Sequence, residues 1–156
     1  MIKFLKIYLI LLLVILITEC SYKPTLSKQN YDFSVEKIYL SGDKEVNYII
    51  KERLINLKNQ NSKNKYYVQI ETSKVKNIIS NDSKGDPSKL EIIISSAFQI
   101  SNSEKLLIKR KIKMKNTYNN ISDKLKLDDY ELIIIKNLSQ RISDSLISTI
   151  ANINVN

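Results

Sequence analysis

The sequence predicts an α+β fold in which two helices pack on one face of a four-stranded mixed sheet. Four stretches alternate apolar and polar residues, which is typical of strands, and two stretches repeat apolar residues every three or four positions, which is typical of helices. Their order along the chain is strand, helix, strand, strand, strand, helix. Because a helix separates the first two strands, these two can pair in parallel through a crossover.

Before the first strand, the chain begins with a segment typical of a bacterial lipoprotein signal. Lys3 and Lys6 form a short basic head, residues 7–17 are an unbroken apolar run, and Cys20 follows three residues later as the only cysteine. The run is well short of the roughly 20 residues that a helix needs to cross a bilayer. A cleaved signal peptide over residues 1–19 is therefore favoured over a permanent anchor.

Lipid attachment at Cys20 is the prediction that follows from this layout. A diacylglycerol thioether and an amide-linked chain such as palmitate would hold the protein stably, since one chain alone binds a membrane only marginally. Glu19 departs from the small residue that lipoprotein peptidases select, so an ordinary secretory peptide or signal anchor with an incidental cysteine is the alternative. Residues 20–30 are predicted to be a polar tether, and residues 31–156 a single domain.

The composition argues against an enzyme. The chain contains no histidine, which removes the commonest general base and the commonest transition-metal ligand. With Cys20 lipidated, no cysteine is left for a disulfide, a nucleophile or a metal site. Gly42 and Gly85 are the only glycines, so there is no glycine-rich phosphate loop. We expect no cofactor and no metal, although Ser–Lys or paired-carboxylate chemistry is formally open.

The first strand is predicted over residues 31–40, with a bulge or bend near Glu36 where the apolar face shifts by one position. Ser41 and Gly42 are expected to break this strand. Asp43 is a credible N-cap for an amphipathic helix of about four turns. The apolar residues of this helix recur at three- and four-residue spacing and are Val46, Ile49, Ile50, Leu54 and Leu57.

The second and third strands follow a polar loop at residues 58–65. Alternation begins at Tyr66 and extends the second strand towards Ile79, and the turn-rich residues 81–88 come next. The third strand is predicted from its apolar face, which includes Leu90, Ile92, Ile94, Phe98 and Ile100. Residues 101–104 then make a tight connection to the fourth strand.

The fourth strand, from Lys105 to about Tyr118, separates its charges by parity. One face carries Leu106, Ile108, Arg110, Ile112 and Met114, and the other carries a row of lysines at Lys109, Lys111, Lys113 and Lys115. We consider the row a candidate contact for an anionic glycolipid, and the whole-chain charge of +9 agrees with an anionic partner. The alternative is a solvated outer face whose lysines discourage edge pairing.

The last helix has the strongest signal in the sequence. Asp128 with Glu131 predicts a capping box, and Leu127 with Leu132 predicts a hydrophobic staple at the start of the helix. The apolar positions that follow indicate one buried face of a helix longer than twenty residues, and they are Ile135, Leu138, Ile142, Leu146, Ile150 and Ile153.

Three segments resemble the lipopolysaccharide-assembly lipoprotein family, LptE. They are CSYKPTL at residues 20–26, TYNN at residues 117–120 after the fourth strand, and NLSQRI at residues 137–142 inside the long helix. The order of strands and helices is also similar to that of the family. The resemblance covers essentially the whole chain after the signal segment.

The resemblance implies an outer-membrane lipoprotein on the periplasmic side that plugs an LptD-like β-barrel. It would assist assembly of that barrel and take part in lipopolysaccharide transport, without catalysis or a cofactor. Two other classes are open: an auxiliary lipoprotein subunit of an envelope lipid transporter, and an envelope hydrolase. Export argues against a nucleic-acid partner despite the basic charge.

Overall fold

The structure, a computed structural model, describes residues 33–57, 62–103 and 105–153. Within these residues it confirms the predicted fold class: an α+β arrangement of one four-stranded mixed sheet and two helices. The elements in chain order are β1 (Ser34–Gly42), α1 (Lys44–Ile55), β2 (Lys65–Asn81), β3 (Pro87–Ser101), β4 (Leu106–Asn119) and α2 (Lys124–Ile153).

The predicted signal segment, its lipidation site at Cys20 and the tether of residues 20–30 lie outside the described residues. Among the helices that the structure does describe, neither has the length and apolar character that a membrane span requires.

The strands lie side by side in sequence order. β1 pairs with β2 in parallel, and the other two neighbouring pairs are antiparallel. The bend predicted near Glu36 is confirmed, because the register passes from Val35 opposite Tyr66 directly to Lys37 opposite Tyr67. Glu36 is the extra residue of this bulge.

β1 ends two residues later than predicted. Ser41 and Gly42, which were expected to break the strand, are its last two residues. Gly42 has a φ of +94°, which turns the chain out of the sheet towards α1. A Cβ at this position would lie 1.9 Å from the carbonyl oxygen of Thr72. The predicted N-cap is confirmed: the Asp43 carboxylate accepts a hydrogen bond of 3.0 Å from the backbone N–H of Val46.

α2 begins one turn earlier than the sequence predicts, so the capping box and the staple are both wrong. The cap is Asp123, whose carboxylate accepts a hydrogen bond of 3.2 Å from the backbone N–H of Lys126. Starting at this cap places Leu127 inside the helix and buries it, whereas Leu132 is half-exposed. Asp128 is then an exposed residue within the second turn.

One hydrophobic core lies between the two helices and one face of the sheet. The side chains that alternate towards the helices along β3 and the first half of β2 are buried, and so are five of the six predicted apolar positions of α2. Ile153, the sixth, is partly buried. The largest fully buried side chains include Phe33, Ile50, Ile70, Phe98, Ile142 and Ile150.

Candidate functional site

The lysine row lies on the sheet face opposite to the helices, along the edge strand β4. Its members stand opposite residues of β3 in the order Lys109 and Gln99, Lys111 and Ala97, Lys113 and Ser95, and Lys115 and Ile93. All four lysines are exposed. Alternate residues of a strand are about 7 Å apart, so the row is a line of ammonium groups at regular spacing.

Next to this row, the central strand β3 offers small side chains. Ser95 and Ala97 are partly exposed and lie directly beside Lys113 and Lys111. Further from the edge, Ser73 and Glu71 of β2 continue the same two cross-strand lines. We call the sheet face opposite to the helices the open face. It carries small side chains along β3 and long lysine side chains along the edge strand β4.

Lys115 differs from the rest of the row because it already has a partner. Its ammonium lies 3.0 Å from a carboxylate oxygen of Glu91, and Glu91 is a buried carboxylate on the open face. The other three lysines of the row form no ion pair with any described residue; they are Lys109, Lys111 and Lys113. Among the described residues, three lysines of the row thus have no ion-pair partner, and the fourth neutralises the charge of a buried carboxylate.

Arg110 points to the helix side, as its parity predicts. It stands opposite Phe98 in the sheet, and its Nη1 donates a 3.3 Å hydrogen bond to the Thr149 hydroxyl of α2. This guanidinium ties β4 to the last part of the long helix. It therefore does not belong to the open face.

A second polar cluster, which sequence reasoning missed, joins β2, β4 and α2. The Tyr118 hydroxyl donates a 2.7 Å hydrogen bond to Glu131, and the Lys76 ammonium lies 2.5 Å from the same carboxylate oxygen. Burial raises the pKa of Tyr118, and the hydrogen bond to Glu131 and its negative charge raise it further. The Tyr118 ring also packs edge-on against Tyr130.

No sequence signal points to this cluster, because Lys76 and Glu131 are 55 residues apart. Its hydrogen bonds hold the start of α2 onto the sheet, which is a structural role. Across the part of the chain that the structure describes, no group of three or more metal-ligating side chains is present.

Comparison with known proteins gives similarity of fold. No protein-family model and no curated protein sequence matches the chain. Rare lipoprotein B from Shewanella oneidensis is 20% identical and aligns over 76% of this chain and 98% of its own, with a TM-score of 0.55. An uncharacterized lipoprotein B from Nitrosomonas europaea is 11% identical over 82% of this chain and 90% of its own, with a TM-score of 0.61.

A minor lipoprotein from Acinetobacter baumannii is 14% identical over 72% of this chain and 91% of its own, with a TM-score of 0.50. At these low identities, the three structures establish a shared fold. The alignments cover 90% or more of each of these solved chains.

Proposed function

We propose that this protein is a non-enzymatic outer-membrane lipoprotein of the LptE type. One observation carries the proposal: the fold matches rare lipoprotein B of Shewanella oneidensis over 98% of that chain. The sequence resemblance to LptE, which rests on separate residues, supports the same assignment. On this proposal Cys20 holds the domain at the periplasmic face, and the domain plugs an LptD-like barrel during lipopolysaccharide transport.

The two faces of the sheet would have different roles in this function. The covered face, with its continuous core, makes the domain a rigid body that can fill a barrel. The open face presents Lys109, Lys111 and Lys113 without an ion-pair partner in the described structure. Phosphate groups of an anionic glycolipid accept charge-assisted hydrogen bonds from such ammonium groups.

The first test of the proposal is a mild-detergent pull-down of the tagged full-length protein from its own envelope. Recovery of an outer-membrane β-barrel in near-equal amount would support the plug. Recovery of inner-membrane transporter subunits instead would favour an auxiliary transporter lipoprotein. Recovery of no stable partner would contradict the proposal.

Lipid attachment is tested separately by feeding cells labelled palmitate. We expect label on the wild-type chain and none on Cys20→Ala, because the proposed acyl chains require this thiol. Equal labelling of both proteins, or of neither, would contradict anchoring through Cys20.

The glycolipid contact is tested with purified lipopolysaccharide and the double variant Lys111→Glu/Lys113→Glu. A matched control is Lys44→Glu/Lys51→Glu, which makes the same charge change at two exposed positions of α1. We expect about a hundredfold weaker binding for the β4 variant, since it loses two charge-assisted hydrogen bonds that are worth about 1.5 kcal/mol or more each. Equal losses in both variants would show that only net charge matters, and the row would not be a site.

A further inference from the structure

The edge of β2 is covered over only part of its length. β1 pairs with β2 from Ser34 opposite Lys65 to Gly42 opposite Thr72, and there the chain leaves the sheet into α1. β2 continues to Asn81, and this continuation is paired with β3 alone. In the described residues, no strand lies on the other side of residues 73–81, which we call the free edge.

The hydrogen bonds show which backbone groups of the free edge point outward. The carbonyl oxygen of Thr72 accepts a 3.2 Å hydrogen bond from the N–H of Asp43, so Thr72 directs its backbone groups to the β1 side. In a strand of an antiparallel pair, each residue directs its N–H and its C=O to the same side, and this side alternates from one residue to the next. Lys74 and Lys76 share the parity of Thr72 and therefore present their N–H and C=O groups outward.

The charged side chains of the free edge do not protect it. Exposed lysines commonly discourage edge pairing, but here each is held by a helix. The Lys74 ammonium lies 2.5 Å from Glu45 of α1, and the Lys76 ammonium lies 2.5 Å from Glu131 of α2. Val75 and Ile78 are exposed aliphatic side chains. The ladder to β3 is regular from Ser73 to Ile78 and irregular after it, so six residues form the flat part.

We propose that the free edge binds an extended segment of a partner protein, which adds a fifth strand to the sheet. The segment would be uncharged and rich in β-branched residues. Both lysines of the edge are already paired with carboxylates, and the other exposed side chains of residues 73–78, which are Ser73, Val75 and Ile78, carry no charge. Main-chain hydrogen bonds to Lys74 and Lys76 would supply the affinity.

A second copy of this chain fits the edge poorly. Two edges related by a two-fold axis pair antiparallel, and residues of the same sheet face stand opposite each other. If the two-fold axis passes beside residue 74 or 76, that lysine stands opposite the same lysine of the other copy. If the axis passes beside residue 75, Lys74 stands opposite Lys76 of the other copy. In these registers the ion pairs of one copy stand against the same ion pairs of the other, whereas an uncharged segment brings no charged group to the edge, so a different chain is the proposed occupant.

The test is an NMR titration of the full-length, isotope-labelled protein in detergent micelles. The probe is a capped heptapeptide of alternating threonine and valine, and the control peptide is N-methylated at alternate residues. We expect amide shifts and slower hydrogen exchange at Lys74 and Lys76 with the first peptide only. Absence of binding up to the solubility limit of the peptide, or equal effects of both peptides, would overturn the proposal.

A pair of variants separates the backbone contact from the ion pair. Lys76→Pro removes the outward N–H as well as the contact with Glu131, whereas Lys76→Ala removes the contact alone. Proline is tolerated on an edge strand where its missing N–H would face solvent, so both variants are expected to fold. We expect Lys76→Pro to weaken peptide binding at least about fivefold relative to Lys76→Ala, the loss of one hydrogen bond. Equal binding by the two variants would overturn the proposal.

The free protein supplies a last check that is independent of lipopolysaccharide and of any barrel. Exchange of the Lys74 and Lys76 amides should be fast before peptide is added, because no partner covers them. Slow exchange in a monomer would mean that another part of this chain covers the edge. Slow exchange in a dimer, identified by sedimentation, would mean that a second copy does so. Either result would overturn the proposal that a segment of a partner protein adds a strand to this edge.

Discussion

The two halves of β2 differ in burial although they belong to one strand. Ile70 and Ile78 lie on the same face of the sheet, eight residues apart, yet Ile70 is 0% exposed and Ile78 is 60% exposed. The first half is flanked by β1 and overlaid by α1, whereas the second half has β3 as its only paired neighbour in the described structure. The difference shows that burial along this strand depends on where β1 and α1 stop.

The stop itself has a local cause. Gly42 adopts a positive φ and lies against the Thr72 carbonyl, and the Asp43 cap then starts α1 immediately. α1 therefore begins beside the middle of β2 and does not extend over its second half. Substitutions at Ile70, Ile78 and Gly42 test how strongly this asymmetry controls stability, and substitutions in β4 test the contacts beside it.

The largest expected effect compares one substitution in the two halves. Ile70→Ala should lower the free energy of unfolding by about 3 kcal/mol, because it leaves a cavity in a fully packed core. Ile78→Ala should change it by less than about 0.5 kcal/mol, since the side chain is mostly solvated. Urea denaturation measures both. Similar losses for the two variants would show that the second half is covered in solution.

Replacement of the glycine that ends β1 should have the next largest effect. Gly42→Ala combines an unfavourable positive φ with overlap at the Thr72 oxygen, and we expect a loss of about 2 kcal/mol or more. Gly85 also has a positive φ, of +90°, but a Cβ there would meet open space. Gly85→Ala should therefore cost only about 1 kcal/mol. Thermal unfolding of the two variants isolates the effect of the overlap.

The Tyr118 hydrogen bond should have a smaller and pH-dependent effect. Tyr118→Phe removes the donor to Glu131 and should cost about 1 kcal/mol at neutral pH. The raised pKa of Tyr118 means that the folded chain keeps the phenolic proton to a higher pH than the unfolded chain, in which tyrosine titrates at about 10.

This contribution is complete below about pH 10 and is lost as the pH rises above the unfolded value. Urea denaturation at a series of pH values should therefore show the wild-type advantage shrinking in alkaline solution. A constant difference between wild type and Tyr118→Phe across that range would contradict the role assigned to this proton.

The smallest effects are expected for the lysines of the open face that have no ion-pair partner in the described structure. Lys111→Ala and Lys113→Ala should change the free energy of unfolding by less than about 0.5 kcal/mol, because neither ammonium has an ion-pair partner among the described residues. Lys115→Ala should cost about 1 kcal/mol, because it leaves the buried Glu91 carboxylate without its cation. Equal effects of the three variants would show that Glu91 does not depend on Lys115.

Much of the site could be predicted from the sequence, because the parity of a strand is a local property. Alternation along residues 105–118 predicts that Lys109 to Lys115 share one face while Arg110 lies on the other, and the structure agrees. The sequence does not show that Lys115 is bound to Glu91. These residues belong to different strands, and a pairing across strands depends on their register.

The sequence by itself determined the four strands, the two helices, their order, the Glu36 bulge and the Asp43 cap, because each depends on residues within a turn or two of one another. Only the tertiary structure decided where α2 begins, which half of β2 is covered, and that Tyr118, Lys76 and Glu131 meet. These features are set by packing between distant segments. Asp123 caps α2 in place of Asp128, and Leu127 is buried in the first turn of the helix.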